Sequence, residues 1–167
     1  DYREYSQQVQ EWIRLVMENR GVHADKTLEN CESIKQYAAQ VNDKKLLGFA
    51  YYYAGETYYV LNSIEHLFYN MTRAIGYLEQ TRQWGLSARA YNLLAITSFN
   101  RGNAPFAMDY YLNGLFYCSK YHLYEEGCMI NLNIGTLYLS VGEYALAQKY
   151  LKDSYQMLLE QKECRNY

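Results

Sequence analysis

The sequence predicts an all-α protein assembled from antiparallel helix pairs, and three observations predict it. Apolar residues recur at steps of three and four, as in Val60, Ile64, Leu67, Met71, Ile75 and Leu78, the spacing that lines one face of a helix. A single proline and a scarcity of valine and isoleucine argue against a sheet protein. Finally, similar segments return along the chain at intervals too short to be separate domains.

The 167 residues suffice for one well-buried core or a short array of repeats. Half are hydrophobic, a share that includes 21 tyrosines, and only 20% are charged. A net charge of −2 supplies no bulk attraction to nucleic acid or to an anionic membrane. The longest uncharged stretch, Gly127 to Gly142, contains Asn131, Asn133, Thr136 and Ser140 and falls short of the roughly 20 apolar residues a spanning helix needs. No secretory signal is visible, and Cys31, Cys118, Cys128 and Cys164 are scattered without a Cys-x-x-Cys pair. Reduced thiols in the cytoplasm are therefore expected.

Along the chain, Tyr5, Val9, Trp12, Ile13, Val16 and Met17 form an amphipathic helix that Gly21 ends. A second helix carries Leu28, Cys31, Ile34, Ala38 and Val41. Three later segments superimpose on their glycines: Leu47-Gly48-x2-Tyr51-x3-Gly55, Leu94-Ala95-x2-Ser98-x3-Gly102 and Ile134-Gly135-x2-Tyr138-x3-Gly142. Five residues after each turn glycine comes Val60, Ala107 or Ala147, followed by Ile64 and Leu67, Tyr111 and Gly114, or Leu151 and Ser154. In this register the glycines lie 47 and 40 residues apart, a difference of about two helical turns. With no loop-like stretch to hold the excess, the first repeat is expected to contain one long helix from about Thr57 to Gln83, running through Gly76 and stopping at Gly85. Asn103 is an expected N-cap with Pro105 in the first turn, and the last helix should begin near Glu143.

These segments resemble the tetratricopeptide repeat family, whose unit pairs a helix A bearing Leu-Gly-x2-Tyr with a helix B bearing Ala-x3-aromatic-x2-Ala. Ser98, Gly114 and Ser154 depart from that pattern, and the early tryptophan is replaced by Lys44, Tyr91 and Asn131. The resemblance implies four helix pairs stacked as a right-handed solenoid in a single domain, divided at 1–43, 44–85, 86–124 and 125–163. In its style it also resembles regulatory regions of bacterial signalling proteins such as diguanylate cyclases, and the peptide-sensing arrays of Gram-positive quorum regulators. A non-catalytic sensor or scaffold binding a protein or peptide is the expected function, with a peptide-pheromone receptor as the alternative.

Chemistry-bearing motifs are few. No phosphate loop is present, and His23, His66 and His122 are dispersed. Cys118, His122 and Cys128, with Glu125 or Glu126, offer zinc-ligand types at an unfamiliar spacing, against which two buried thiols and a surface imidazole are the simpler expectation. Asn70-Met71-Thr72 matches a glycosylation acceptor by chance, inside a helix. Hence neither catalysis nor a metal or cofactor is expected.

The run from Phe49 to Tyr59 is almost free of charge, and its rings cannot all face one core. In tetratricopeptide arrays the concave groove is lined by helix A, and counting from Leu47, Leu94 and Ile134 carries that lining onto this chain. The first repeat then offers Asn42, Lys45, Phe49, Tyr52 and Tyr53. The second offers Arg89, Asn92, Ile96, Phe99 and Asn100, and the third Met129, Leu132, Asn133 and Thr136. Asparagines here suit a peptide backbone, and Lys45 and Arg89 suit a carboxylate. The competing reading is that these residues meet an adjacent repeat or a second copy of the chain. Stacking on nucleic acid is disfavoured, because no Lys or Arg occurs from Leu46 to Thr72.

Overall fold

A computed structural model describes the backbone of residues 2–165 and the side chains up to residue 162. Among the described residues the fold is all-α, with eight helices: α1 (Gln7–Asn19), α2 (Ala24–Gln40), α3 (Lys44–Val60), α4 (Ile64–Gln80), α5 (Trp84–Asn100), α6 (Ala104–Tyr121), α7 (Tyr124–Ser140) and α8 (Tyr144–Arg165). Consecutive helices pack against each other within two compact units, Asp1–Gln83 with α1 to α4 and Trp84–Tyr167 with α5 to α8. No described helix is long and apolar enough to cross a membrane.

From α2 onward a helix begins at Ala24, Lys44, Ile64, Trp84, Ala104, Tyr124 and Tyr144, so the helix pair repeats every 40 residues. The turns explain this regularity. Gly21, Asn42, Asn62, Arg82, Gly102, His122 and Gly142 all have positive φ, and each follows a helix end. In six of the turns the amide just after the positive-φ residue donates to the carbonyl five residues back: Asp43 to Ala38, Ser63 to Tyr58, Gln83 to Leu78, Asn103 to Ser98, Leu123 to Cys118 and Glu143 to Tyr138, at 2.8–3.0 Å. This 6→1 bond closes a helix once a residue takes the left-handed conformation.

The expected 47-residue first repeat is corrected by this geometry. The turn partner of Gly102 and Gly142 is Asn62, not Gly55. Gly55 lies inside α3, where an added Cβ would stand 3.0 Å from Met71, so it serves close helix approach instead. The proposed continuous helix over 57–83 is broken at Leu61, Asn62 and Ser63, and Gly85 lies in the first turn of α5 rather than stopping a helix. Asparagine tolerates the left-handed region well enough to replace glycine, which is why the glycine register slipped by seven residues. In the corrected register Gly55, Ala95 and Gly135 are equivalent, as are Leu67, Ala107 and Ala147, and Ala74, Gly114 and Ser154. Crowding explains the small residues of the first and third sets: a Cβ on Gly135 would stand 2.7 Å from Leu151, and one on Gly114 2.7 Å from Ile130, whereas the second set admits Leu67.

Several expectations hold at the ends. Helix α1 stops before Gly21, Asn103 accepts a hydrogen bond from the Phe106 amide, and the last helix starts at Tyr144. Within α2 the inward residues are Thr27, Cys31, Ile34 and Ala38, with Leu28 only half-buried.

Candidate functional site

In the first unit α3 lies between α2 and α4, so it buries two faces rather than one. Phe49, Tyr52 and Tyr53, expected to line a groove, are buried: the Phe49 and Tyr53 rings pack at a tilt with centroids 4.6 Å apart, and Tyr52 meets Tyr53 edge-on at 4.9 Å. The Arg20 guanidinium covers the Tyr53 ring at 5.0 Å and pairs with Glu56 at 2.8 Å. Lys45 lies 3.5 Å from Glu4 and 5.0 Å from the Tyr2 ring centroid, and Asn42 is an exposed turn residue with φ 55°. Tyr51 is half-buried beside α4, stacked on Tyr77 at 5.9 Å with the Lys35 ammonium 4.4 Å from its centroid. Burial pushes the Lys35 pKa down. Asn70 is also buried, its amide oxygen accepting from Lys35 at 3.0 Å and its nitrogen donating to the His66 carbonyl.

In the second unit the expected groove residues of α5 hold α7. Arg89 pairs with Glu126 at 2.9 Å, and Asn92 accepts from the Asn133 amide at 2.9 Å. Ile96 and Phe99 pack against a cluster that includes Ala88, Ala95, Tyr111, Ile130, Ile134 and Leu137. Met108 and Leu115 of α6 complete that trough. Asn100 is exposed at the end of α5.

A shift of 40 residues carries this trough onto α7 and α8. Arg89 becomes Met129, Asn92 becomes Leu132, Ile96 becomes Thr136, Phe99 becomes Leu139 and Leu115 becomes Tyr155. All five are exposed, Leu132 by 50% and Tyr155 by 62%, whereas Asn92 is only 9% exposed. Leu139, Tyr144, Gln148, Leu151, Lys152 and Tyr155 line an open groove of about 850 Å³. The surface that receives α7 in one repeat is thus present, and open, in the next. Sequence reasoning placed Met129, Leu132 and Thr136 among surface candidates but missed Leu139, Tyr144 and Tyr155, which the 40-residue register would have indicated.

The cysteine and histidine constellation is dispersed in space. Cys118 is buried, which pushes its thiol up to about 12, and His122 is the exposed left-handed residue closing α6. The Cys128 thiol lies 3.2 Å from the Ser154 hydroxyl, and no group of three or more metal-ligating side chains occurs among the described residues. The Cys164 side chain lies outside the described residues. Compared with known proteins, the chain matches no family model and no curated protein.

Proposed function

We propose that this chain is a non-catalytic, tetratricopeptide-like interaction module whose α7–α8 trough takes an amphipathic helix of a partner protein. The observation carrying this reading is the open trough itself, built from the counterparts of the residues that hold α7. Met129, Leu132 and Leu139 on α7 and Tyr144 and Tyr155 on α8 are all exposed; apolar residues exposed together rather than singly mark interaction sites, and a helix laid in a groove is a recurrent recognition mode. The chemistry of the partner follows from two substitutions within the repeat. Arg89 and Asn92 latch α7 through a carboxylate and an amide, but Met129 and Leu132 offer neither. The incoming helix should therefore present an uncharged apolar ridge.

In the corrected register Tyr51 and Tyr91 both stand at the early aromatic position and Gly55, Ala95 and Gly135 align, in keeping with the family resemblance, while Ala54 and Leu67 depart from it. On that resemblance, the module serves as a cytoplasmic sensor or scaffold region of a bacterial signalling protein, with a diguanylate cyclase as one candidate output. Burial of Phe49, Tyr52 and Tyr53 removes part of the expected helix A lining for a protein and a peptide ligand alike, and a peptide-pheromone receptor stays the alternative reading.

The test uses a synthetic peptide of residues 124–140 carrying Glu126→Leu and Asn133→Leu, titrated into the full chain. Saturable binding with a gain in peptide helicity is expected, weakened at least ~10-fold by Leu132→Glu with Leu139→Glu, whose exposed positions leave the fold intact. Equal binding to the wild type and that variant would refute the reading.

A further inference from the structure

A second cavity, separate from the trough, lies where α8 packs onto α7, with Leu115 and Ser119 of α6 on its wall. Its origin is visible in the repeat. Tyr51 stacks on Tyr77 with ring centroids 5.9 Å apart, and 40 residues later Tyr91 stacks on Tyr117 at 6.2 Å. The next members of this series are Asn131 and Met157. Replacing two stacked rings by an amide and a thioether leaves about 330 Å³ between the helices, near the lower end of small-molecule sites.

The lining is not a neutral void. Asn131 is only 3% exposed, and its amide nitrogen reaches nothing better than the Met157 sulfur, at 3.5 Å. Its amide oxygen accepts no hydrogen bond among the described residues. No enclosed side-chain nitrogen or oxygen lacks a partner among the described residues, so that oxygen is reached from the open cavity, where a ligand's donor can replace water. Asp153 and Glu160 add carboxylates on the α8 wall; they are seven residues apart, hence on one face and roughly 10 Å apart along the axis. Asp153 meets no cation among the described residues, and Glu160 accepts only from Gln156, at 3.3 Å. Leu115, Met157 and the Tyr150 ring supply the apolar surface between these polar ends.

We propose that this cavity binds a linear α,ω-diammonium ligand. One ammonium donates to the Asn131 oxygen and a carboxylate, the methylene chain lies against Leu115 and Met157, and the second ammonium meets the other carboxylate. Each part of the ligand answers a feature of the wall: donors for an acceptor that no described side chain meets, two positive charges for two carboxylates, and a short aliphatic body for the space two rings vacated.

The experiment titrates 1,5-diaminopentane into the full-length protein by calorimetry, with 1-aminopentane and pentan-1-ol in parallel. The diamine should bind one per chain, the monoamine roughly tenfold more weakly, and the alcohol not at all. Asp153→Asn with Glu160→Gln should weaken the diamine at least ~10-fold while preserving helicity, since both positions lie at the cavity wall rather than in the core. Asn131→Tyr with Met157→Tyr restores the ring pair of the earlier repeats and should abolish binding while raising the melting temperature. The proposal is overturned if the diamine fails to saturate the protein, if the alcohol competes equally, or if the carboxylate variant binds as well as the wild type.

Discussion

Single residues in this chain are set by whether they fall inside or between helices that recur every 20 positions. Cys31 of α2 and Cys118 of α6 both face inward, and burial drives both thiols up to about 12. An unfolded thiol loses its proton near 8.5. Above that pH the unfolded chain releases protons that the folded chain keeps, so stability present below about pH 8.5 is lost progressively as the pH rises towards 12. The slope approaches ~1.4 kcal/mol per pH unit for each thiol. Tyr2, also raised to about 12 by burial and then by Tyr53 and Asp43, adds in the same direction above pH 10. Urea midpoints measured at pH 8 and pH 10.5 should show the fall, and Cys31→Ala should flatten it. Both thiols should also resist a thiol reagent at pH 8 while Cys128, partly exposed, reacts.

Helices and turns carry the next set of consequences. Gly102 and Gly142 have φ of 78° and 80°, so alanine at either position forces a side chain into the left-handed region. A loss of about 1 kcal/mol is expected for each. Gly76 is the opposite case: it lies inside α4 with nothing within 4 Å of an added Cβ. Gly76→Ala should therefore stabilise the protein by roughly 0.5–1 kcal/mol. Thermal melts of the three variants should separate in sign, and a destabilising Gly76→Ala would contradict the open space described there. Leu46, fully buried in α3, provides a core reference, with Leu46→Ala costing roughly 2–5 kcal/mol.

The same scale explains what sequence alone could reveal. Helix content, the end of α1, the Asn103 cap and the small residues at helix crossings follow from periodicity and turn chemistry, which are local. The register of the first repeat does not, because Asn62, Arg82 and His122 occupy positions where glycine was the only available signal. A slip of seven residues keeps the same helix face, so every hydrophobic pattern still matched. Phe49 and Tyr52 happen to be the true counterparts of Arg89 and Asn92, yet both are buried, because α3 buries a second face that no periodicity announced. The cavity beside Asn131 escaped notice for a related reason: the missing ring pair becomes visible only when Tyr51, Tyr91 and Asn131 are aligned.

At the scale of the whole molecule, the two compact units, Asp1–Gln83 and Trp84–Tyr167, each contain two helix hairpins with their own core. Repeat arrays draw their stability from neighbouring pairs. Chains of residues 1–83 and 84–167 made separately should each be helical and unfold cooperatively; loss of helicity in either would show that its core needs the other. The functional account makes a matching claim about the second unit, that α7 and α8 repeat the trough by which α5 and α6 hold α7. Asn92 and Asn133 touch at 2.9 Å, so Leu132, the counterpart of Asn92, should face position 133 of a docked helix. Cysteine trapping tests this most directly. In a background with Cys128→Ser and Cys164→Ser, Leu132→Cys should form a disulfide with the 124–140 peptide carrying Glu126→Leu, Cys128→Ser and Asn133→Cys, while a control cysteine at the exposed Asn113 should not. Equal trapping at both positions, or none at Leu132→Cys, would contradict the account.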